Sequence, residues 1–170
     1  MKDIPLVDFE LDFIRESNRI EGIKREPTDA EIEEYSRFMA LEQLEIRDFE
    51  QFVSVYAPGN YLRLKSNQNV QVGGYVAPRG GPRIVGLLQR IIDIANELKR
   101  TNPSGFSQKA QQIIFETHIT YEQLHPFTDG NGRSGRMLWW WMMDRCSYGF
   151  LHYWYYQTLR DKQKDLPPHF

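Results

Sequence analysis

Apolar residues recur along this chain mostly at intervals of three and four, the spacing that lines one side of a helix, and this periodicity limits the fold more than any other feature. The clearest case is Ile84, Leu87, Leu88, Ile91, Ala95 and Leu98, an amphipathic helix that ends before Asn102-Pro103. Leu6, Phe9, Phe13 and Ile14 mark a first helix ending near Glu21-Gly22. Thr28 with Glu31 forms a capping box, so a second helix starts at about Asp29 and carries Ile32, Tyr35, Phe38 and Met39. Phe49, Phe52, Val53 and Tyr56 predict a third. Pro58-Gly59-Asn60 then breaks the pattern, and two strand-like runs between Tyr61 and Val76, around the polar turn Ser66-Asn67-Gln68-Asn69, predict a β-hairpin. Further helices are expected from about Ser107 to Leu124 and from after Gly132 to about Tyr148, with Gly149 as the C′ residue. The expected fold class is mostly α, a helical bundle with one hairpin, as a single domain over residues 1–170.

A chain of 170 residues is large enough to bury roughly 70% of its unfolded surface, so no disulfide or structural metal is needed. The single cysteine, Cys146, lies in an aromatic-rich stretch and reads as an inert buried thiol. Trp139, Trp140 and Trp141 read as core and flank packing. With 21 Lys plus Arg against 23 Asp plus Glu, the net charge of -2 gives no basic field, so neither direct nucleic-acid binding nor membrane attachment is expected. Any anion must be bound locally. The N-terminus carries no apolar export signal and the longest apolar run, Met137 to Met143, is too short to span a bilayer. A cytoplasmic location is expected, and export by a route that reads no such signal is compatible with the sequence.

The segment His125-Pro126-Phe127-Thr128-Asp129-Gly130-Asn131-Gly132-Arg133-Ser134-Gly135-Arg136 is hard to explain by folding alone. Pro126 stops the preceding helix, and Gly130-Asn131-Gly132 leads into the next, so free backbone N–H groups should point from a helix N-terminus as an anion cradle. Arg133 and Arg136 lie three apart on the first turn and can clamp phosphate oxygens with their forked donors. Two cations at a helix N-terminus oppose the dipole, a penalty that a bound polyphosphate removes. One carboxylate beside substrate phosphates suits Mg²⁺, which assigns Asp129, and a neutral imidazole at His125 can take the proton of an attacking hydroxyl. Any one of these residues alone is ordinarily structural or solvated. Their joint occurrence describes metal-assisted transfer from a nucleotide polyphosphate to a hydroxyl. The other histidines, His118, His152 and His169, have no such company and read as structural or exposed.

At every fixed position, His125 to Arg136 resembles the signature of the Fic family, His-Pro-Phe-x-(Asp/Glu)-Gly-Asn-Gly-Arg-x-x-Arg. The resemblance implies the Fic fold with a flap at 61–76 beside the catalytic motif at 125–136, and it implies a protein adenylyltransferase. His125 would activate a Ser, Thr or Tyr hydroxyl of a target protein, which attacks the α-phosphate of ATP and releases pyrophosphate. Asp129 would hold Mg²⁺ against the α- and β-phosphates, with Gly130, Asn131 and Gly132 as the anion hole. Arg133 would meet the β-phosphate and Arg136 the γ-phosphate, while Phe127 would anchor the loop in the core.

Upstream, Ser17-Asn18-Arg19-Ile20-Glu21-Gly22 resembles the family's inhibitory motif, (Ser/Thr)-x-x-x-Glu-(Gly/Asn), within an N-terminal inhibitory segment, residues 1–24. Ser17 and Glu21 are i and i+4 and share a helix face, from which Glu21 can pair with Arg136 in place of the γ-phosphate. Val70, Gln71, Val72 and Gly73 are the expected docking edge for a target protein by strand addition, with the chain itself a second candidate target. Two other reactions compete with AMP transfer. One is removal of AMP from a modified protein, with Glu21 orienting water. The other is transfer of the γ-phosphate, as in a Fic-related kinase branch that departs from the glycine cradle at its first glycine, which Gly130 keeps here.

Overall fold

Local signals and tertiary packing agree on six helices among the described residues, which in this computed structural model are 8–72, 75–101 and 107–143. Helix α1 spans Asp8–Ile20 and ends where Gly22 turns left-handed (φ 79°), with Gly22 N–H donating to Arg19 O and Ile23 N–H to Asn18 O. This double closure places Glu21 as the C-cap. Helix α2, Asp29–Met39, starts at the expected capping box: Thr28 Oγ1 accepts from Glu31 N–H, and Thr28 N–H donates to the Glu31 carboxylate at 2.8 Å. Helices α3 (Ile46–Tyr56), α4 (Pro82–Thr101) and α5 (Gln108–Leu124, capped by Ser107) follow the expected periodicities closely.

Helix α6, Asn131–Met142, is the centre of the bundle and touches all five other helices. All of its residues except Gly132 are buried, which explains an apolar run without an exposed polar stripe. Trp139, Trp140 and Trp141 are core residues as expected; the indole N–H of Trp140 donates to Tyr35 Oη at 2.7 Å and that of Trp141 to Leu41 O at 2.9 Å. Phe13 of α1 stacks on Trp140, with ring centroids 4.8 Å apart, so α1 is docked directly on the central helix. Gly135 lets α5 lie close, because a Cβ there would run into the Tyr121 ring and the Glu122 carboxyl.

The segment between α3 and α4 differs from expectation. Strands β1 (Gln71–Val72) and β2 (Tyr75–Val76) pair antiparallel, Gln71 with Val76 and Val72 with Tyr75. The turn at Ser66-Asn67 exists, but its flanks do not pair with each other. Instead Leu62 bridges to Phe127, Arg63 N–H donates to Pro126 O, and Thr128 N–H donates to Tyr61 O. The first predicted strand is therefore consumed in bracing the motif loop. Helix α6 also starts two residues earlier than expected, because Gly130 at φ 81° is its N-cap. The expectations on Leu6, Gly73, Cys146, Tyr148, Gly149, His152 and His169 lie outside the described residues. Among the described residues no helix is long and apolar enough to cross a membrane.

Candidate active site

The motif loop joins the C-terminus of α5 to the N-terminus of α6, so orphan carbonyls and orphan N–H groups meet within six residues. His125 caps α5 in a left-handed conformation (φ 47°, ψ 62°), its N–H donating to Tyr121 O. Its Nδ1 lies 2.6 Å from the carbonyl oxygen of Glu122. A carbonyl only accepts, so Nδ1 carries the ring proton and Nε2 keeps the lone pair in the neutral ring. Burial holds the imidazole below its ordinary range, with the Glu122 hydrogen bond opposing and Arg63 adding to the depression. A ring that is neutral at pH 7 with a defined basic nitrogen is equipped to accept a proton.

Asn131 holds the loop closed. Its Oδ1 accepts from Phe127 N–H at 2.8 Å and its Nδ2 donates to Phe127 O at 2.9 Å, and both residues are buried. The Asn131 side chain is thus spent on loop geometry, which leaves its backbone N–H for the expected anion hole. Phe127 is fully buried, the core anchor that was expected. The ladder of α6 begins with Ser134 N–H to Gly130 O, and no side chain caps the helix, so the N–H groups of Asn131, Gly132 and Arg133 have no acceptor within it. A side chain at residue 130 would be strained at φ 81° and its Cβ would press on Ala57.

The two arginines turn to different neighbours. Arg133, buried, donates through Nη1 to Tyr56 O at the end of α3, and its Nε is buried with no partner among the described residues. Arg136, 4% exposed, donates through Nε to Ser17 Oγ (2.9 Å) and through Nη2 to Ser17 O (2.9 Å) and Glu21 Oε1 (2.5 Å). Glu21 thereby lies over the glycine cradle: its Oε1 occupies the space that a Cβ on Gly132 would take. The expected shared face of Ser17 and Glu21 is present, and both residues end on one guanidinium.

Asp129 is exposed, and its Oδ1 accepts from Gly130 N–H at 2.7 Å. A single carboxylate at the edge of an anion cradle fits Mg²⁺, which takes most of its ligands from phosphates and water. Val70 O accepts from Ala77 N–H, extending the β1–β2 pairing, and Tyr75 Oη donates to Gln123 O at 2.9 Å, which sets this arm beside the end of α5. Gln71 and Val76 are exposed along it.

Two residues escape the sequence reading, Arg63 and Glu122: both bond to the motif through backbone atoms, which leave no residue-type signature, while His118, read as structural or exposed, is fully buried against the motif. His118 Nδ1 faces Gly135 O at 2.9 Å, so its Nε2 presents a lone pair toward Glu122 Oε1, 3.8 Å away. Burial pushes the Glu122 carboxyl up to about 8 and the His118 imidazole down to about 3, so at neutral pH the carboxyl is protonated and the ring neutral.

A family model, that of the Fic/DOC family, matches residues 34–143. No curated protein and no solved structure matches the chain.

Proposed function

This chain belongs to the Fic/DOC family, and from that premise we propose that it is a protein adenylyltransferase, transferring AMP from ATP to a Ser, Thr or Tyr hydroxyl of a target protein, and that Glu21 restrains it. One observation carries the reading: a basic Nε2 lone pair on His125 stands at one end of a loop whose other end is an uncapped helix N-terminus beside two buried arginines. A neutral acceptor of a proton and a cradle for phosphates are the two parts this transfer requires.

His125 Nε2 takes the hydroxyl proton as the oxygen attacks the α-phosphorus. The bond to the β-phosphate oxygen breaks, leaving AMP on the protein and pyrophosphate as the leaving group. The backbone N–H groups of Asn131, Gly132 and Arg133 receive phosphate oxygens at the positive end of α6. The unpartnered Nε of Arg133 supplies a further donor toward the β-phosphate, and Arg136 takes the γ-phosphate. Asp129 would hold Mg²⁺, which neutralises charge on the α- and β-phosphates when bound. Target residues lie along the arm of Val70, Gln71 and Val72; Gly73, the fourth residue of the expected docking edge, lies outside the described residues.

Glu21 gives the restraint its physical sense, because its carboxylate and a γ-phosphate would use the same guanidinium. Its side chain is 36% exposed, which also favours a second reading in which it orients water to remove AMP from a modified protein. Parallel incubation with α-labelled and γ-labelled ATP tests the assignment. Protein-bound α-label is expected; γ-label alone would replace AMP transfer by phosphoryl transfer, and release of AMP from a pre-modified target would favour removal.

A further inference from the structure

Arg63 is completely buried, and among the described residues its guanidinium is bound entirely by backbone carbonyls. Nε donates to His125 O at 2.6 Å and Nη2 to Leu124 O at 2.7 Å. Nη1 donates to Gln68 O at 3.0 Å and Pro78 O at 2.7 Å. Its own backbone joins the same structures, N–H to Pro126 O and O from Gly81 N–H. The first two carbonyls are orphan groups at the negative end of α5, where a cation is favoured. The other two flank the β1–β2 arm. Four carbonyls in three separate segments can be met at once only by a planar fork of donors, which lysine lacks.

The carbonyl of His125 belongs to the one non-glycine residue with a positive φ among the described residues. Such a backbone persists only where its surroundings hold it, and the imidazole's direction follows from it. We propose that Arg63 is a positioning residue for the transfer, fixing the backbone of the general base and the foot of the target-binding arm with a single guanidinium. This rests on the reading of His125 as the base. It explains why the cation is buried without a carboxylate among its partners: its function is to register a hydroxyl lying on the arm against Nε2.

The charged and titratable groups around His125 are Arg63, Glu21 at the end of α1, and Asp129 in the loop, with Glu122 lending its carbonyl and Tyr75 anchoring the arm at Gln123. The Arg63 charge adds to the depression of the ring's basicity that burial begins. The test compares Arg63→Lys and Arg63→Met in the full chain carrying Glu21→Gly. Three quantities are read: kcat and KM with α-labelled ATP, the His125 ring pKa by imidazole NMR with His125→Ala for assignment, and Tm. Arg63→Lys keeps the charge and loses the fork, so kcat should fall roughly 10- to 100-fold, the cost of a small misplacement, with KM for ATP changed by less than about twofold. Arg63→Met should lower kcat further and raise the His125 pKa, moving the acid limb of the rate profile to higher pH. Should Arg63→Met not fold, Arg63→Lys carries the test. Folded variants with the parent's kcat and His125 pKa, or a lowered Tm with both unchanged, would overturn the proposal. A Glu21→Gly parent that transfers no label would instead sink the proposed function, and the His125 titration would still test the tether.

Discussion

Glu21→Gly removes the carboxylate from Arg136 while Ser17 Oγ and Ser17 O keep the guanidinium aimed. A charge-assisted hydrogen bond contributes about 1.5–3 kcal/mol. Arg136 is buried but Glu21 is 36% exposed, and solvent screening reduces the figure to about 1–2 kcal/mol. At about 1.4 kcal/mol per tenfold, MgATP should bind about 5- to 30-fold more tightly to the variant. Protein-bound AMP per minute should rise at least as much, since ATP then enters with its γ-phosphate on Arg136. The ligand-free variant should also melt about 2–6 °C lower, because a buried cation has lost its carboxylate, and ATP should raise its Tm more than that of the wild type. Isothermal titration gives the affinities and α-labelled ATP the rates. Arg136→Ala should not reproduce the gain, since it removes the γ-phosphate contact together with the inhibitory one. Equal affinities and rates in wild type and Glu21→Gly would refute the restraint, and a Glu21→Gly/His125→Ala protein that still labels would refute the mechanism.

His125→Ala should abolish transfer and leave ATP affinity within about twofold, because the base acts on the nucleophile; a strong loss of ATP binding would count against that role. Asp129→Ala should lower transfer and flatten its Mg²⁺ dependence, and overlapping Mg²⁺ titrations of the two proteins would remove it as the ligand. Stability should peak near pH 5–6. The folded pKa of Glu122 lies above its unfolded value, so its contribution is complete below about pH 4.5 and is lost as pH rises toward about 8. That of His118 lies below its unfolded value, so its contribution is present above about pH 6.5 and is lost as pH falls toward about 3. Glu122→Gln should therefore match wild type near pH 5 and exceed it near pH 8 by on the order of a few kcal/mol in urea unfolding; a constant offset between those pH values would refute the assignment.

What could be read in advance was local. The Thr28–Glu31 capping box, the stripe from Ile84 to Leu98 and the helix start at about Ser107 each depend on residues close in sequence, and each appears where the sequence placed it. The motif was legible because its residue types are improbable together. The errors came from contacts distant in sequence. The run at Tyr61 to Arg63 has strand character, yet its partner is Pro126 to Thr128, more than sixty residues on, and not the far side of the Ser66-Asn67 turn. The duty of the Asn131 side chain is hidden in the sequence in the same way, because only the folded loop brings Phe127 to its amide. Arg63 could not be read at all, since carbonyl partners can come from any residue.

The placement of charge at two helix ends ties the site to the proposed restraint. Glu21 stands at the C-terminal end of α1 and Arg133 in the first turn of α6, each on the unfavourable end of its own helix dipole at roughly 0.3–1 kcal/mol apiece, with Arg136 one turn further along α6. Docking α1 on α6 sets the carboxylate on Gly132 and against Arg136, so one contact relieves mismatches in both helices. A phosphate would relieve those of α6 equally well and leave Glu21 unrelieved. On the proposed reading, the competition is therefore decided less by the ion pair than by what keeps α1 seated: Phe13 on Trp140, Tyr35 Oη on Glu10, and the Asn18 amide on Glu31. Weakening that seat anywhere along α1 should loosen the restraint without touching a residue of the phosphate cradle.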